Sequence, residues 1–194
     1  MKRIRVAILT ILFVSLVLMA GCGRVVTGSG NPITETYDYS DFSAIEVHQG
    51  FQVDLKKSNN FSIEITVDDN LQEYLQVDKS GSTLRIQLQQ SRWYTSATLK
   101  ARITMPDIRK LDLSGGSLVD ITGFNLSHNL SIEMSGGSRI NGDISANDID
   151  LELSGGSRIE LVGSADNLVA DASGGSHLDL GSFPVGNANI ERET

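Results

Sequence analysis

From Phe42 onward apolar and polar residues alternate in short runs: Ile45-Glu46-Val47, Phe51 through Leu55, Phe61 through Val67, Leu84 through Leu88 and Leu99 through Met105. Side chains two apart share a face of an extended chain, so this period of two predicts half-buried strands. Asn59-Asn60 and Ser80-Gly81-Ser82 read as turns between them. Only Asp69 to Leu75 has apolar spacing suited to a helical turn or two, and no long helix is predicted after the N-terminal segment.

In the second half the alternation becomes a repeat. The tetrad Ser-Gly-Gly-Ser occurs four times, beginning at Ser114, Ser135, Ser154 and Ser173, at intervals of 21, 19 and 19 residues. Before each tetrad an acid stands between two apolar residues: Asp112 between Leu111 and Leu113, Glu133 between Ile132 and Met134, Glu152 between Leu151 and Leu153, Asp171 between Ala170 and Ala172. After it, Val119, Ile140, Ile159 and Leu178 face inward. Strands repeating at about twenty residues can stack in register and bury one apolar file that no single repeat could bury. The expected fold is therefore all-β, a right-handed parallel β-helix or solenoid with coils of about 20 residues, preceded by shorter β-strands. Paired glycines let the chain turn a corner without a side-chain clash, and the serines can bond locally. The tetrad has neither the lysine of a phosphate-binding loop nor a strand-to-helix context, so it reads as structural. Ala170 and Ala172 fill less volume than Leu151 and Leu153, and few apolar residues follow Leu180. The expectation is that Phe183 to Ile190 caps the last coil or that the chain is shorter than its fold, leaving a C-terminal edge open to self-association.

The N-terminus carries a different signal. Lys2, Arg3 and Arg5 precede an apolar stretch from Val6 to Ala20 that ends in Leu18-Met19-Ala20-Gly21-Cys22. This reads as a signal peptide, residues 1–21, too short to cross a bilayer, which needs roughly 20 apolar residues. The chain's single cysteine follows the small residues of the cleavage site, and the segment resembles the lipobox of bacterial lipoproteins. That resemblance makes Cys22 a lipidated mature N-terminus and the chain a cell-envelope protein held to the membrane, the outer membrane if the cell is Gram-negative. One cysteine excludes a disulfide framework. Residues 22–35, rich in Gly, Thr, Ser and Asn, read as a flexible tether, and residues 36–190 as one head domain.

Charge narrows the partners. The formal net charge is -8, and losing residues 1–21 with their three cations takes it to -11. Nucleic acid is excluded as a partner, because its binding depends on neutralising phosphates. In stacked coils Asp112, Glu133, Glu152 and Asp171 would form a carboxylate ladder with steps of about 4.8 Å; it reads as a solvated acidic face with Lys110, Arg139 and Arg158 nearby. His48, His128 and His177 have no ligand spacing, and no metal or cofactor is expected. Arg92-Trp93-Tyr94 is the most conspicuous aromatic cluster, and an exposed Trp93-Tyr94 pair can stack on a sugar or a partner surface.

Gly28-Ser29-Gly30-Asn31, the segment Asp41 to Val47 running to Gly50-Phe51-Gln52-Val53, the turn Asp68-Asp69-Asn70-Leu71 and the tetrad series resemble the auto-transporter adhesin head domain, or GIN domain, of bacterial envelope lipoproteins. The resemblance covers residues 28 to 185. It implies an all-β fold with parallel β-helix character and no catalytic residues to carry over. The expected function is a non-catalytic, lipid-anchored envelope module that binds a glycan or envelope protein or serves as a structural element. Trp93, Tyr94, Asp112, Glu133, Glu152 and Asp171 are its candidate contacts. The competing expectation is a carbohydrate-active enzyme acting on polysaccharide.

Overall fold

The computed structural model describes residues 24–193, so the signal peptide and Cys22 lie outside the described residues. The strands are β1 (Arg24–Thr27), β2 (Pro32–Thr36), β3 (Ala44–Val47), β4 (Gln52–Lys57), β5 (Ser62–Asp68), β6 (Leu75–Ser80), β7 (Thr83–Leu88), β8 (Arg92–Thr95), β9 (Leu99–Met105), β10 (Lys110–Leu113), β11 (Leu118–Asn125), β12 (Leu130–Met134), β13 (Arg139–Leu153), β14 (Arg158–Ser173), β15 (His177–Ser182) and β16 (Val185–Glu193). The one helical element described is a 3-10 segment, Asp69–Tyr74, where the apolar spacing predicted a turn or two. Burial alternates along β9 and β12 as the period of two requires, and along β13 in two stretches, 139–146 and 149–153, whose phase shifts at Asn147–Asp148.

Fourteen strands form one mixed sheet, in the order β2-β5-β9-β4-β11-β13-β12-β10-β3-β7-β6, with β14, β15 and β16 continuing from β13. β13 pairs along its first part with β11 and along its last part with β12. One strand thus passes from one wall of the sheet to the other, and the sheet curls into a half-barrel around a single core that includes Phe51, Phe124, Ile140, Ile149 and Leu151.

The expected right-handed solenoid with about 20-residue coils is not what forms. Strands of fifteen and sixteen residues, β13 and β14, run on through positions where coils would have ended, their burial changing phase at Asn147–Asp148 and Asp166–Asn167 without a break in the strand. Antiparallel pairs β2/β5, β5/β9 and β6/β7 belong to the same sheet. The early strands do not precede the repeats as a separate layer, since β3 and β4 pair in parallel with β10 and β11. The physical reason is that a regular repeat specifies register between successive passes and nothing about the edges. Hairpins can extend the same hydrogen-bond ladder at those edges and curl the sheet. Residues 24–27 and 32–36, which overlap the stretch 22–35 expected to be a tether, are strands. At the other end Phe183 is buried, but Val185 onward runs beside β14 in parallel rather than folding across the edge.

The tetrads do stand in a file. Gly115 and Gly116 have φ of 67° and 81°, as the two central residues of a tight turn with left-handed backbone require. A Cβ on Gly136 would lie 3.0 Å from the Gly115 nitrogen, which shows how closely successive turns stack. The second serine closes each turn: the Oγ of Ser117, Ser138, Ser157 and Ser176 donates to the carbonyl of Ser114, Ser135, Ser154 and Ser173 at 2.7–2.8 Å, and all four are buried. The file has one more member than the tetrad count predicts. Gln49 and Gly50, with φ of 60° and 82°, make the same turn between β3 and β4. The sequence signal for it was the triple Ile45-Glu46-Val47 followed by Val53, at the same spacing as in the later passes.

Candidate functional site

Because β3, β10, β12, β13, β14 and β16 pair in register, one outward position repeats across them: Glu46, Asp112, Glu133, Glu152, Asp171 and Glu191. All four predicted ladder residues are therefore brought together, and the structure adds Glu46 and Glu191 at the ends. The file lines a groove of about 500 Å³ with Asp112, Glu133, Glu152, Asp171, Glu191 and Glu193 on its wall.

The row is not electrostatically uniform. Arg85 donates from Nε and Nη2 to Glu46 Oε2, each at 2.7 Å, and Lys110 Nζ lies 2.5 Å from Glu133 Oε1. Asp112 stands between these two pairs. Burial first, and the charge of Glu133 second, push its carboxyl above its ordinary value of 3.8, against the pull of His48 and Lys110. His48 Nδ1 is within hydrogen-bond distance of Ser114 Oγ. Glu152 and Asp171 are exposed, so the groove passes from a paired, half-buried end to a solvated one. Of the three cations expected near the ladder only Lys110 is there. Arg139 and Arg158 lie beyond the turns, in register with Leu118 and His177. His128 is also elsewhere, with Nε2 2.7 Å from Asp107 Oδ1. Among the described residues no three His, Cys, Asp or Glu side chains converge on a metal position.

Trp93 and Tyr94 occupy a separate groove of about 520 Å³ shared with Gln49, Gln90, Arg92 and Gly115. β8 is an expansion of the turn region: where β3 reaches β4 through Gln49-Gly50, β7 reaches β9 through residues 89–98. The two aromatics have different fates. Tyr94 is half-buried, packs against Tyr74 at 6.0 Å between ring centroids, and donates its hydroxyl to the Gln89 carbonyl at 2.9 Å. Trp93 is 70% exposed. The expected exposed pair is thus one free indole beside one committed phenol, and neither shares a groove with the carboxylate file.

A mixed sheet curled into a half-barrel, with open grooves on its outer faces, defines an all-β surface module. Residues 41–194 match the family described as Putative auto-transporter adhesin, head GIN domain, and the chain belongs to that family. Among solved structures it is similar to a putative adhesin from Bacteroides fragilis, with a TM-score of 0.80 at 19% identity over 87% of this chain and 79% of that one. It also resembles a putative lipid binding protein from Parabacteroides distasonis (TM-score 0.67, 19% identity, 87% and 81% covered) and a putative adhesin from Parabacteroides merdae (TM-score 0.65, 17% identity, 87% and 80% covered). At these identities the likeness is one of fold. No curated protein matches the chain.

Proposed function

We propose that this chain is a non-catalytic module of the cell envelope, anchored through a lipidated Cys22, at the outer membrane in a Gram-negative cell, and that it engages a glycan or an envelope protein. The observation that carries this reading is the carboxylate groove: Asp112, Glu133, Glu152 and Asp171 stand in one row on one wall of an open channel. A row of acceptors at strand spacing suits hydroxyl-rich or cationic ligands that lie along it. The names given to the Bacteroides and Parabacteroides structures agree with surface contact. Trp93 supplies a second, apolar contact on another part of the surface, and self-association, where it occurs, runs through the outer edge of β16.

In its hydrolytic form the competing reading, a polysaccharide-cleaving enzyme, calls for two carboxyls flanking the scissile bond, about 5 to 10 Å apart. A single-file ladder offers them from one side, which favours binding. The discriminating experiment incubates the mature protein with a polysaccharide array and scores both retention and new reducing or unsaturated ends. Retention without product, weakened when Glu133 and Glu152 are both changed to Gln, is expected. Product formation that disappears in Glu152→Gln would overturn the reading.

A further inference from the structure

β1 and β8 form a two-stranded parallel ribbon outside the main sheet, in the register Arg24 to Arg92, Val25 to Trp93, Val26 to Tyr94 and Thr27 to Thr95. The pleat sends alternate residues to opposite faces. The inner face is engaged: Val26 and Tyr94 pack against the core, and the Arg92 guanidinium lies 4.5 Å over the Tyr74 ring. The outer face carries Val25 and Trp93, 64% and 70% exposed, the two most exposed large apolar side chains among the described residues. Register places them side by side. Apolar surface of this kind, next to polar neighbours and held on a rigid ribbon, marks a contact site.

Sequence says what lies next to it. Only Gly23 separates Arg24 from Cys22. Two residues of fully extended chain reach about 7 Å, so acyl chains on Cys22 cannot stand far from the ribbon's N-terminal end. Arg24 and Arg92 mark that same end of both strands. In a chain of net charge -8, the exposed Arg24 puts positive charge where anionic headgroups would lie.

We propose that the N-terminal end of the β1–β8 ribbon is a membrane-contact face. Val25 and Trp93 enter the interfacial layer beside the acyl chains of Cys22, and Arg24, exposed at the start of β1, meets lipid phosphates. Indole rings sit at headgroup depth because they have an apolar body and one N–H donor, and arginine stems extend along apolar surface while the head stays with phosphate. The module is then held against the bilayer in one orientation rather than swinging on a leash. This rests on the reading of Cys22 as the lipidated residue.

Trp93 is the only tryptophan in the chain, so its emission reports on this face alone. The full, acylated protein is placed in vesicles of phosphatidylethanolamine with phosphatidylglycerol as the minority lipid and compared with the unacylated Cys22→Ser form. The expected result is a blue shift of the emission, loss of intensity when acyl chains carry bromine near the headgroup end, and protection from iodide in the water. Val25→Asn and Arg24→Gln should reduce the shift while the fatty-acid label is retained. An acylated, vesicle-bound protein whose Trp93 emission matches that of Cys22→Ser and stays open to iodide overturns the contact face and leaves the anchor standing. A wild-type chain that takes up no fatty-acid label overturns the anchor, and the contact face with it.

Discussion

At the scale of single residues, the turn file and the acid row make opposite demands. Gly136 needs a left-handed backbone with φ of 65° and has the Gly115 nitrogen 3.0 Å from where a Cβ would sit, whereas Ser138 contributes one buried hydrogen bond. Ser138→Ala should cost about 1 kcal/mol, the net worth of a typical bond of this kind. Gly136→Val should cost more, since strained backbone alone accounts for about 1–3 kcal/mol before the clash is counted. Urea denaturation of the two variants gives the order, and equal midpoints would contradict the stacking. Asp112 makes the second residue-scale prediction. Its carboxyl titrates higher in the fold than in the unfolded chain, because burial and Glu133 both disfavour its charge. Its protonation thus stabilises the fold fully below 3.8, and that contribution is lost as pH rises through the raised value. Asp112→Asn should therefore be more stable than wild type at neutral pH, with the gain shrinking on acidification. A constant difference across that range would assign the effect to something other than the charge.

At the scale of elements, protection should follow how many neighbours a strand has. β13 is paired on both sides along most of its length, while β16 pairs with β14 and is exposed almost throughout, Ile190 being 53% exposed in a file whose other members are buried. Backbone amides in residues 165–193 are expected to exchange with deuterium faster than those in 111–160, because local opening there exposes little apolar surface. Uniform protection through β16 would show that its outer edge is covered in solution. The element boundaries explain why part of this was legible beforehand. The apolar pairs before the tetrads located β10, β12 and the ends of β13 and β14, and the inward residues after them located β11 and the starts of β13 and β14, since each repeat places inward side chains at equal spacing. The Gln49-Gly50 turn escaped because a glutamine occupies the first left-handed position, held there as its Oε1 accepts the Leu88 N–H at 2.7 Å. No tetrad marks that partner.

At the scale of the whole molecule, the anchor proposed at Cys22 would set where everything else acts. Metabolic labelling with a fatty acid should tag the wild-type protein, and Cys22→Ser should lose the tag and leave the membrane fraction; a tag that persists in the variant would remove Cys22 from the account. The two grooves then have distinct settings. The carboxylate file follows the stacked passes of the sheet, whereas the Trp93 face belongs to the ribbon that begins two residues after Cys22.

Local pattern determined the all-β character, the inward files, the four Ser-Gly-Gly-Ser turns and the co-alignment of Asp112, Glu133, Glu152 and Asp171, because each follows from the pleat and from a spacing that any in-register parallel stack must obey. Tertiary structure alone decided that the sheet is mixed and curled, that the presumed tether contributes β1 and β2, and that Glu46 and Glu191 extend the acid row. The reason is common to all three. Which distant segment takes an open strand edge depends on the hydrogen bonds and apolar area gained over the whole sheet, a quantity that no window of neighbouring residues contains.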